Sequence, residues 1–272
     1  MIDVDRQTII TGAIQLPEFN VFAVQFGDFG IRWYALSYIA GLLIGIYIIK
    51  RISRAATAPM RADQADSLLN YILIGIILGG RLGYALFYNT AYYLTNPAAI
   101  FRVWEGGMSF HGAFLGVMVA LVLMARRHQI PLLVLSDRGA MVTPIGRVLG
   151  RLANFINGEL YGRVTDIAWA MIFPHSDGQP RHPSQLYEAG LEGLFLGLLL
   201  FWVYRRGGLN LHGLMTGLFI FGYGCARFLV ELVREPDAHL GLMTGGLSMG
   251  QLLTIPMIIG GLYLLNASRQ TR

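Results

Sequence analysis

The sequence is poor in charged residues and in cysteine. Only 14% of its 272 residues are charged and 54% are apolar, whereas soluble domains carry about 25% charged residues. A water-soluble protein of this length needs more polar surface, so the composition indicates an integral membrane protein and excludes a disordered chain. Cys225 is the single cysteine. No internal disulfide can form, which excludes a secreted disulfide scaffold.

Long apolar stretches are what the sequence has in place of charge. A spanning helix needs about 20 mostly apolar residues. Seven stretches approach that length, at roughly 31–49, 67–88, 108–125, 131–149, 185–204, 211–232 and 245–265. The fourth and sixth carry charged residues inside them. No basic stretch followed by an apolar core precedes residue 30, so we expect no cleaved signal peptide. We predict an all-α integral membrane protein with seven transmembrane helices, and treat 1–272 as a single membrane domain.

Lysine is almost missing, and the positions of the basic residues predict the orientation. Lys50 is the only lysine among 21 basic residues. With seven spans, ten of them fall on one side, and basic loops mark the cytoplasm. These ten are Lys50, Arg51, Arg54, Arg61, Arg126, Arg127, Arg205, Arg206, Arg269 and Arg272. The N-terminus is then outside and the C-terminus inside. The segment at about 155–184, between helices 4 and 5, forms a small head on the outer side.

Several arginines remain in or beside the spans, where each costs about 2.5–3.5 kcal/mol at a helix centre. They are Arg81, Arg138, Arg147, Arg151, Arg227 and Arg234. Any single one can extend its charge to the interface, but six together favour a function. Arg147, Arg151 and Asn154 share one helix face, and Arg227, Glu231 and Arg234 show the same spacing.

Two interpretations of these faces stay open. Glu231 can pair with both arginines on its face as a structural ion-pair clasp. Alternatively, the faces form an anion site, because guanidinium binds phosphate in a bidentate fork. The acidic residues also lie toward the outer half of the spans, so the ligand would be a lipid phosphate, or another anion, reached from outside.

Most of the other motifs give weaker evidence for a function. Gly246–Gly250 matches a Gly-x-Ser-x-Gly nucleophile pattern, but no strand–helix elbow surrounds it. Ser248 followed by Gln251 predicts a helix capping box instead. The six histidines show no metal spacing. His111 stands out, because it opens the third span at the outer interface, and an unperturbed histidine has a pKa of about 6.5, which suits a general base.

Five blocks, in order along the chain, resemble one known family. The longest is the run from Gly150 to Arg163, GRLANFINGELYGR. The others are Arg32-Trp33-Tyr34, Gly107–Gly112 (GMSFHG), His182–Glu188 (HPSQLYE), and Arg227–Glu231 (RFLVE) with Arg234–Asp237 (REPD). The chain is similar to the bacterial phosphatidylglycerol–prolipoprotein diacylglyceryl transferase family. It has Ala153 and Ala113 where that family often has glycine.

The resemblance implies a seven-span enzyme of the bacterial inner membrane whose active site faces the periplasm. It would move the sn-1,2-diacylglyceryl group of phosphatidylglycerol to the lipobox cysteine of a preprolipoprotein, with release of glycerol phosphate. The expected partners are therefore phosphatidylglycerol, the lipobox peptide and the lipid bilayer. No cofactor, no metal and no nucleic-acid partner is expected.

Residue roles also follow from the resemblance. Arg151 and Arg227 would be the essential pair that holds the phosphate. Asn154, Glu159 and Gly162 would shape the lipid site, with Glu231 and Arg234 around it, and Tyr34 would donate a hydrogen bond to the lipid head. His111 is the candidate base that activates the substrate thiol, and arginine-assisted deprotonation is the alternative.

Two functions from other classes compete. Intramembrane arginines also line the paths of anion or lipid transporters, but transporter folds carry inverted repeats and none is readable here. A non-catalytic lipid-binding scaffold would leave the position of His111 without a purpose.

Overall fold

Long helices occupy all seven predicted stretches. The computed structural model describes residues 12–27, 29–55, 58–235 and 246–270. The long helical segments are α1 (Trp33–Ile52), α2 (Gln64–Phe87), α4 (Phe110–His128), α5 (Leu132–Ile156), α6–α7 (Ser184–Arg205), α8 (Leu214–Val230) and α9 (Met249–Gln270). The short helix α3 (Thr90–Thr95) lies between α2 and α4. Apolar periodicity therefore located the helices, although α5 continues seven residues beyond its predicted end at 149.

Five of these segments are long and apolar enough to cross a membrane by themselves: α1, α2, α4, α6–α7 and α9. α8 has 17 residues and is apolar but shorter, and α5 carries Asp137, Arg138, Arg147 and Arg151 within its 25 residues. These two are the stretches whose internal charges the sequence already displayed. The chain is a multi-pass helical membrane protein, and seven crossings remain a prediction.

The chain is mostly helical, as predicted, and four short strands accompany the helices. They are β1 (Ile14–Gln15), β2 (Phe22–Phe26), β3 (Phe29–Arg32) and β4 (Met171–Ile172). β2 and β3 form an antiparallel hairpin, and β1 pairs in parallel with β4. The β1–β4 pairing joins segments more than 150 residues apart, so no local sequence pattern predicts it.

The chain divides into two compact units. One takes the described residues of 12–45 and 139–270, and the other takes those of 46–138. In the second unit α2 packs on α4 through glycines. A Cβ at Gly75 would lie 2.6 Å from the Gly116 carbonyl oxygen, and one at Gly83 would lie 2.6 Å from the Gly112 Cα. The missing side chains of these glycines therefore allow the two helices to pack closely.

Glycines also bring α8 close to α9 in the first unit, with one difference. A Cβ at Gly217 would lie 2.9 Å from the Leu265 nitrogen, and one at Gly224 would lie 2.9 Å from Ile258 Cγ1. Gly213, four residues before Gly217, is not a packing residue inside the helix. It precedes α8 with φ of 88°, a left-handed conformation that favours glycine.

Residues 157–183 of the first unit contain no helix. After α5 ends, the chain makes isolated bridges between Val164 and Arg181, between Met171 and Arg181, and between Gly162 and Arg234. Arg181 anchors the segment, since its guanidinium pairs with Asp177 at 2.8 Å and Glu235 at 2.9 Å. The Arg181 contact lowers the pKa of the Asp177 carboxyl to about 2. That this segment is a periplasmic head remains a prediction.

Candidate active site

The predicted arginine face on α5 exists, and it continues beyond the helix. Arg151 and Asn154 are both largely buried, and the Arg151 Nη1 donates to Asn154 Oδ1 at 3.3 Å. The Asn154 amide in turn donates to Glu159 Oε1 at 2.8 Å, and the Asn157 amide donates to the same oxygen at 3.2 Å. Arg151, Asn154 and Glu159 therefore form one hydrogen-bonded chain at the end of α5.

The centre of the site is Glu188, whose side chain is fully buried. Its Oε2 atom lies 2.5 Å from Arg151 Nη2, 2.9 Å from Arg227 Nη1 and 3.3 Å from Arg147 Nη2. One carboxylate oxygen thus receives three guanidinium groups from two helices. Like charges in a low-dielectric interior repel each other strongly. The negative charge of Glu188 offsets this repulsion and allows the three guanidinium groups to lie close together.

A second buried carboxylate lies one turn further along. Glu192 pairs with Arg147, and its Oε1 lies 3.9 Å from Arg227 Nη1. Residues Ala189–Phe195 form a π-helical turn between α6 and α7, a feature that often marks functional positions. Gly193 in this turn lies directly against Val148 and the Pro144 carbonyl of α5. The close approach brings Glu192 to Arg147.

The second arginine face also forms, and both of its interpretations have support. Arg227 Nη2 lies 2.8 Å from Glu231 Oε2, and Arg234 Nη1 lies 4.0 Å from the same oxygen. Helix α8 ends at Val230, so Glu231 and Arg234 follow the helix rather than continue it. The clasp predicted for Glu231 is therefore present, and Arg227 also joins the Glu188 cluster.

The charges of the cluster do not cancel. Four arginines face three glutamates across these contacts, which leaves one formal positive charge. Within the described part of the chain, the buried Nε atoms of Arg147 and Arg151 have no hydrogen-bond partner. A buried donor without a partner costs about 1–3 kcal/mol. In the same part of the chain the buried oxygens Glu188 Oε1 and Glu192 Oε1 also lack a hydrogen-bond partner, but an anionic group bound here would supply the missing charge and an acceptor for Arg151 Nε.

Gly162 lies where three backbone segments meet. Its N–H donates to the His182 carbonyl at 2.8 Å, and its carbonyl accepts from Arg181 Nη1 at 3.1 Å. A Cβ at this position would lie 2.5 Å from the Val233 carbonyl oxygen and 2.7 Å from His182 Cβ. Only glycine allows this approach, which fixes the backbone of Arg234 beside that of Gly162.

The turn at Glu159 and Leu160 is held in an unusual conformation. Leu160 has φ of 59°, which is uncommon for a residue with a side chain. Two side chains of α6 hold this turn in place: Gln185 Nε2 donates to the Glu159 carbonyl at 2.8 Å, and Ser184 Oγ donates to the Leu160 carbonyl at 3.0 Å. The start of α6 therefore positions Glu159.

Tyr34 belongs to the same compact unit as this cluster. It lies in the first turn of α1, where its hydroxyl is 2.9 Å from the Tyr38 hydroxyl. The Tyr34 side chain also interacts electrostatically with Glu159 and Arg151. The structure thus associates Tyr34 with the site residues that the sequence named.

His111 lies in the second unit, near the start of α4. The helix begins at Phe110, and Ser109 caps it by accepting from the Gly112 N–H at 3.1 Å. The His111 side chain is exposed, and its ring lies edge-on to that of Phe110 with centroids 5.7 Å apart. Its predicted place at the opening of the third span is confirmed, and its role as a base is still a hypothesis.

Two of the six intramembrane arginines serve other purposes. The Arg81 guanidinium donates to backbone carbonyls of the segment 99–107, among them those of Ala99 at 2.7 Å and Arg102 at 2.8 Å. Arg138 donates to the Val134 carbonyl at 2.9 Å and to Ser53 Oγ at 3.5 Å. Neither arginine belongs to the two helix faces that the sequence predicts, and both bind groups within the second unit.

The remaining motifs follow the sequence reasoning where they are described. Ser248 Oγ accepts from the Gln251 N–H at 3.1 Å, and Gln251 Oε1 accepts from the Ser248 N–H at 3.0 Å, so the capping box of α9 is confirmed. Across the described residues no group of three His, Cys, Asp or Glu side chains could hold a metal ion. Pro236 and Asp237 of the last family block, and Arg272, lie outside the described residues.

Sequence reasoning missed the acidic half of the site. Glu188 was named in a family block and among the acidic residues of the outer half but was given no role, and Glu192 was not named, although both are completely buried. A signal existed, because two glutamates four residues apart in an apolar stretch must share a face and need cationic partners. Their partners could not be known, because the pairing with α5 and α8 is a tertiary contact.

Comparisons with known proteins identify the family. Residues 21–267 match the family model described as prolipoprotein diacylglyceryl transferase. The chain is 52% identical over 256 residues to the phosphatidylglycerol–prolipoprotein diacylglyceryl transferase of Methylocella silvestris, covering 92% of this chain and 94% of the relative. It is 48% identical over 264 residues to the enzyme of that name from Bordetella parapertussis, covering 95% of this chain and 100% of the relative. The chain therefore belongs to the prolipoprotein diacylglyceryl transferase family.

Proposed function

We propose that the chain transfers the sn-1,2-diacylglyceryl group of phosphatidylglycerol to the lipobox cysteine of a preprolipoprotein, the first step of bacterial lipoprotein maturation. The convergence of Arg147, Arg151 and Arg227 on the buried Glu188 carries this proposal, together with the family membership. This group of arginines forms a cationic site, suited to a lipid phosphate, in an otherwise apolar chain.

The reaction explains why arginines are needed. The cysteine sulfur attacks the glyceryl carbon that bears the phosphate, so a carbon–sulfur bond forms as the carbon–oxygen bond breaks. The bonding pair leaves with glycerol phosphate, and negative charge grows on that group. Guanidinium donors placed there in advance stabilise the transition state, an effect of about 2.7–4 kcal/mol per donor in comparable oxyanion sites.

Each named residue has a place in this proposal. Arg151 and Arg227 hold the phosphate of the substrate, while Asn154 and Glu159 form the wall that continues from Arg151. Gly162 fixes the backbone beside Arg234, and Glu231 orients Arg227. Tyr34 donates a hydrogen bond to the lipid head group.

The thiol needs a proton acceptor, because a free cysteine has a pKa of about 8.5 and reacts as the thiolate. His111 is the proposed base. The competing account is a thiol whose deprotonation the arginine charges assist, with the proton passing to solvent.

We further propose seven crossings of the inner membrane, with a periplasmic N-terminus and a cytoplasmic C-terminus. The active site then faces the periplasm, and the segment 157–183 forms a head on that side. The arginine clusters of the loops support this orientation.

The test combines the purified chain, phosphatidylglycerol vesicles and a lipobox peptide. A diacylglyceryl thioether and glycerol phosphate should appear in equal amounts, as measured by mass spectrometry. A peptide with serine in place of the lipobox cysteine is the control and should give neither product. Anion flux across liposomes without thioether formation would instead favour the transporter.

A further inference from the structure

Three helical segments each contribute two side chains, one turn apart, to the arginine cluster. The pairs are Arg147 and Arg151 from α5, Glu188 and Glu192 from α6 and the π-helical turn, and Tyr223 and Arg227 from α8. Spacing by four residues places the members of each pair on one face. The six residues therefore form two layers, the phosphate layer (Arg151, Glu188, Arg227) and the support layer (Arg147, Glu192, Tyr223).

The support layer is closed by its own contacts. Arg147 pairs with Glu192, and its guanidinium lies over the Tyr223 ring at 5.2 Å from the centroid. Glu192 is fully buried, whereas a quarter of the Arg147 side chain is exposed. Arg147 also reaches into the phosphate layer, with its Nη2 at 3.3 Å from Glu188 Oε2.

The two layers share their charges. Glu188 and Glu192 are buried carboxylates one turn apart, and a buried charge left without a partner is very unfavourable. If Arg147 were absent, only Arg151 and Arg227 would remain to neutralise the two buried glutamates. Each would be drawn onto the carboxylates, and the formal charge of the cluster would fall from one positive to zero.

We propose that Arg147, held by Glu192 and Tyr223, is a positioning residue: by neutralising the two buried glutamates it leaves Arg151 and Arg227 available to the phosphate of the substrate lipid. This inference rests on the proposed function. It concerns only how the lipid substrate is held, so it predicts a change in kcat/KM for phosphatidylglycerol and no change in KM for the peptide.

The test measures initial rates with each substrate varied in turn, divided by the amount of folded, monodisperse protein. Arg147→Met should lower kcat/KM for phosphatidylglycerol by about 10- to 100-fold, since a misplacement of about 1 Å can cost that much, and should leave KM for the peptide unchanged. Arg147→Lys, which keeps the charge, should retain more activity. Arg206→Met is the matched control, because Arg206 also lies over an aromatic ring, that of Trp202 at 4.2 Å, and is exposed outside the cluster.

A charge-compensated variant separates positioning from a merely structural role. Glu192→Gln should lower the same kcat/KM, and Arg147→Met/Glu192→Gln should recover most of what either single change loses, because the net charge returns to its original value. If Arg147→Met does not fold, Glu192→Gln and Arg147→Lys carry the comparison. Single variants within twofold of the wild type, or a double variant no better than the singles, would overturn the inference. A wild-type protein that forms no thioether would overturn the proposed function instead.

Discussion

Arginine and lysine carry the same charge, and Arg151 depends on the difference between them. Its guanidinium contacts Glu188 through Nη2 and Asn154 through Nη1, and the Nε donor of this buried group faces no protein acceptor among the described residues. A planar fork can hold Glu188, Asn154 and a phosphate together, whereas an ammonium is a single point charge.

Arg151→Lys should therefore lower kcat by about 100-fold, the loss found when one donor of an oxyanion site is removed. Initial rates of thioether formation, corrected for folded protein, measure the effect. Arg126→Lys, at an exposed position in the last turn of α4, is the control and should turn over normally. Near-normal turnover of Arg151→Lys would remove Arg151 from the phosphate site.

The pH dependence decides the role of His111. A histidine base must be neutral to accept a proton, so a rate that depends on such a base falls when the imidazole becomes protonated in acid. His111→Gln should lower kcat/KM and abolish this fall on the acid side of the profile. His128→Gln, at the other end of α4, is the control. An unchanged profile in His111→Gln would favour arginine-assisted deprotonation.

At the level of single residues, the sequence predicted the cations of the site better than its anions. Arginine in an apolar stretch is conspicuous whatever its neighbours, so Arg151 and Arg227 could be named. The role of Glu188 and Glu192 becomes visible only in their contacts with arginines of α5 and α8. The roles of Arg81 and Arg138 were hidden for the same reason, since Arg81 binds backbone carbonyls of the segment 99–107 and Arg138 reaches Ser53, and the sequence places neither partner beside them.

Among the structural elements, the segment between α5 and α6 depends most on a single position, Gly162. A Cβ there would lie 2.5 Å from a backbone oxygen, which cannot move aside as a flexible side chain would. The contact joins this segment to the residues after α8, where Arg163 Nε donates to the Arg234 carbonyl at 2.9 Å.

Gly162→Ala should therefore destabilise the protein by about 1–3 kcal/mol, the usual cost of overpacking, and should reduce activity because Arg234 shifts. Thermal unfolding followed in detergent, together with the thioether assay, measures both effects. Gly139→Ala is the matched control: it lies in α5 with no heavy atom within 4 Å of a built Cβ. Unchanged stability and activity in Gly162→Ala would contradict the close backbone contact.

Helices were predictable as elements, and strands were not. Apolar stretches of about 20 residues located the seven long helices, but the sequence placed the end of α5 at 149 and the helix continues to Ile156. The extension contains two polar residues, Arg151 and Asn154, and it remains helical where these two pair with Glu188 and Glu159. β1 and β4 have two residues each and exist only because they pair with each other.

For the whole molecule, the number of crossings decides which side the site faces. Helix α5 ends, α6 begins and α8 ends around one point, where Gly162 bonds to the His182 carbonyl and bridges to Arg234. If α5 and α8 cross the membrane with α6–α7, this point is periplasmic. If α5 does not cross while α6–α7 does, the same point is cytoplasmic and the loop before α8 is periplasmic; α8 then crosses back to that point, which gives six crossings.

Cysteine labelling separates these two arrangements, because they predict opposite results. In a Cys225→Ser background, Asp166→Cys probes the segment after α5 and Asn210→Cys probes the loop before α8; both positions are exposed. With seven crossings, an impermeant maleimide should label Asp166→Cys in intact spheroplasts and Asn210→Cys only after permeabilisation. The reverse pattern would indicate six crossings, and would place Arg205 and Arg206 on the periplasmic side against the distribution of basic residues. Seven crossings keep those arginines in the cytoplasm and place the Glu188 cluster toward the periplasmic leaflet.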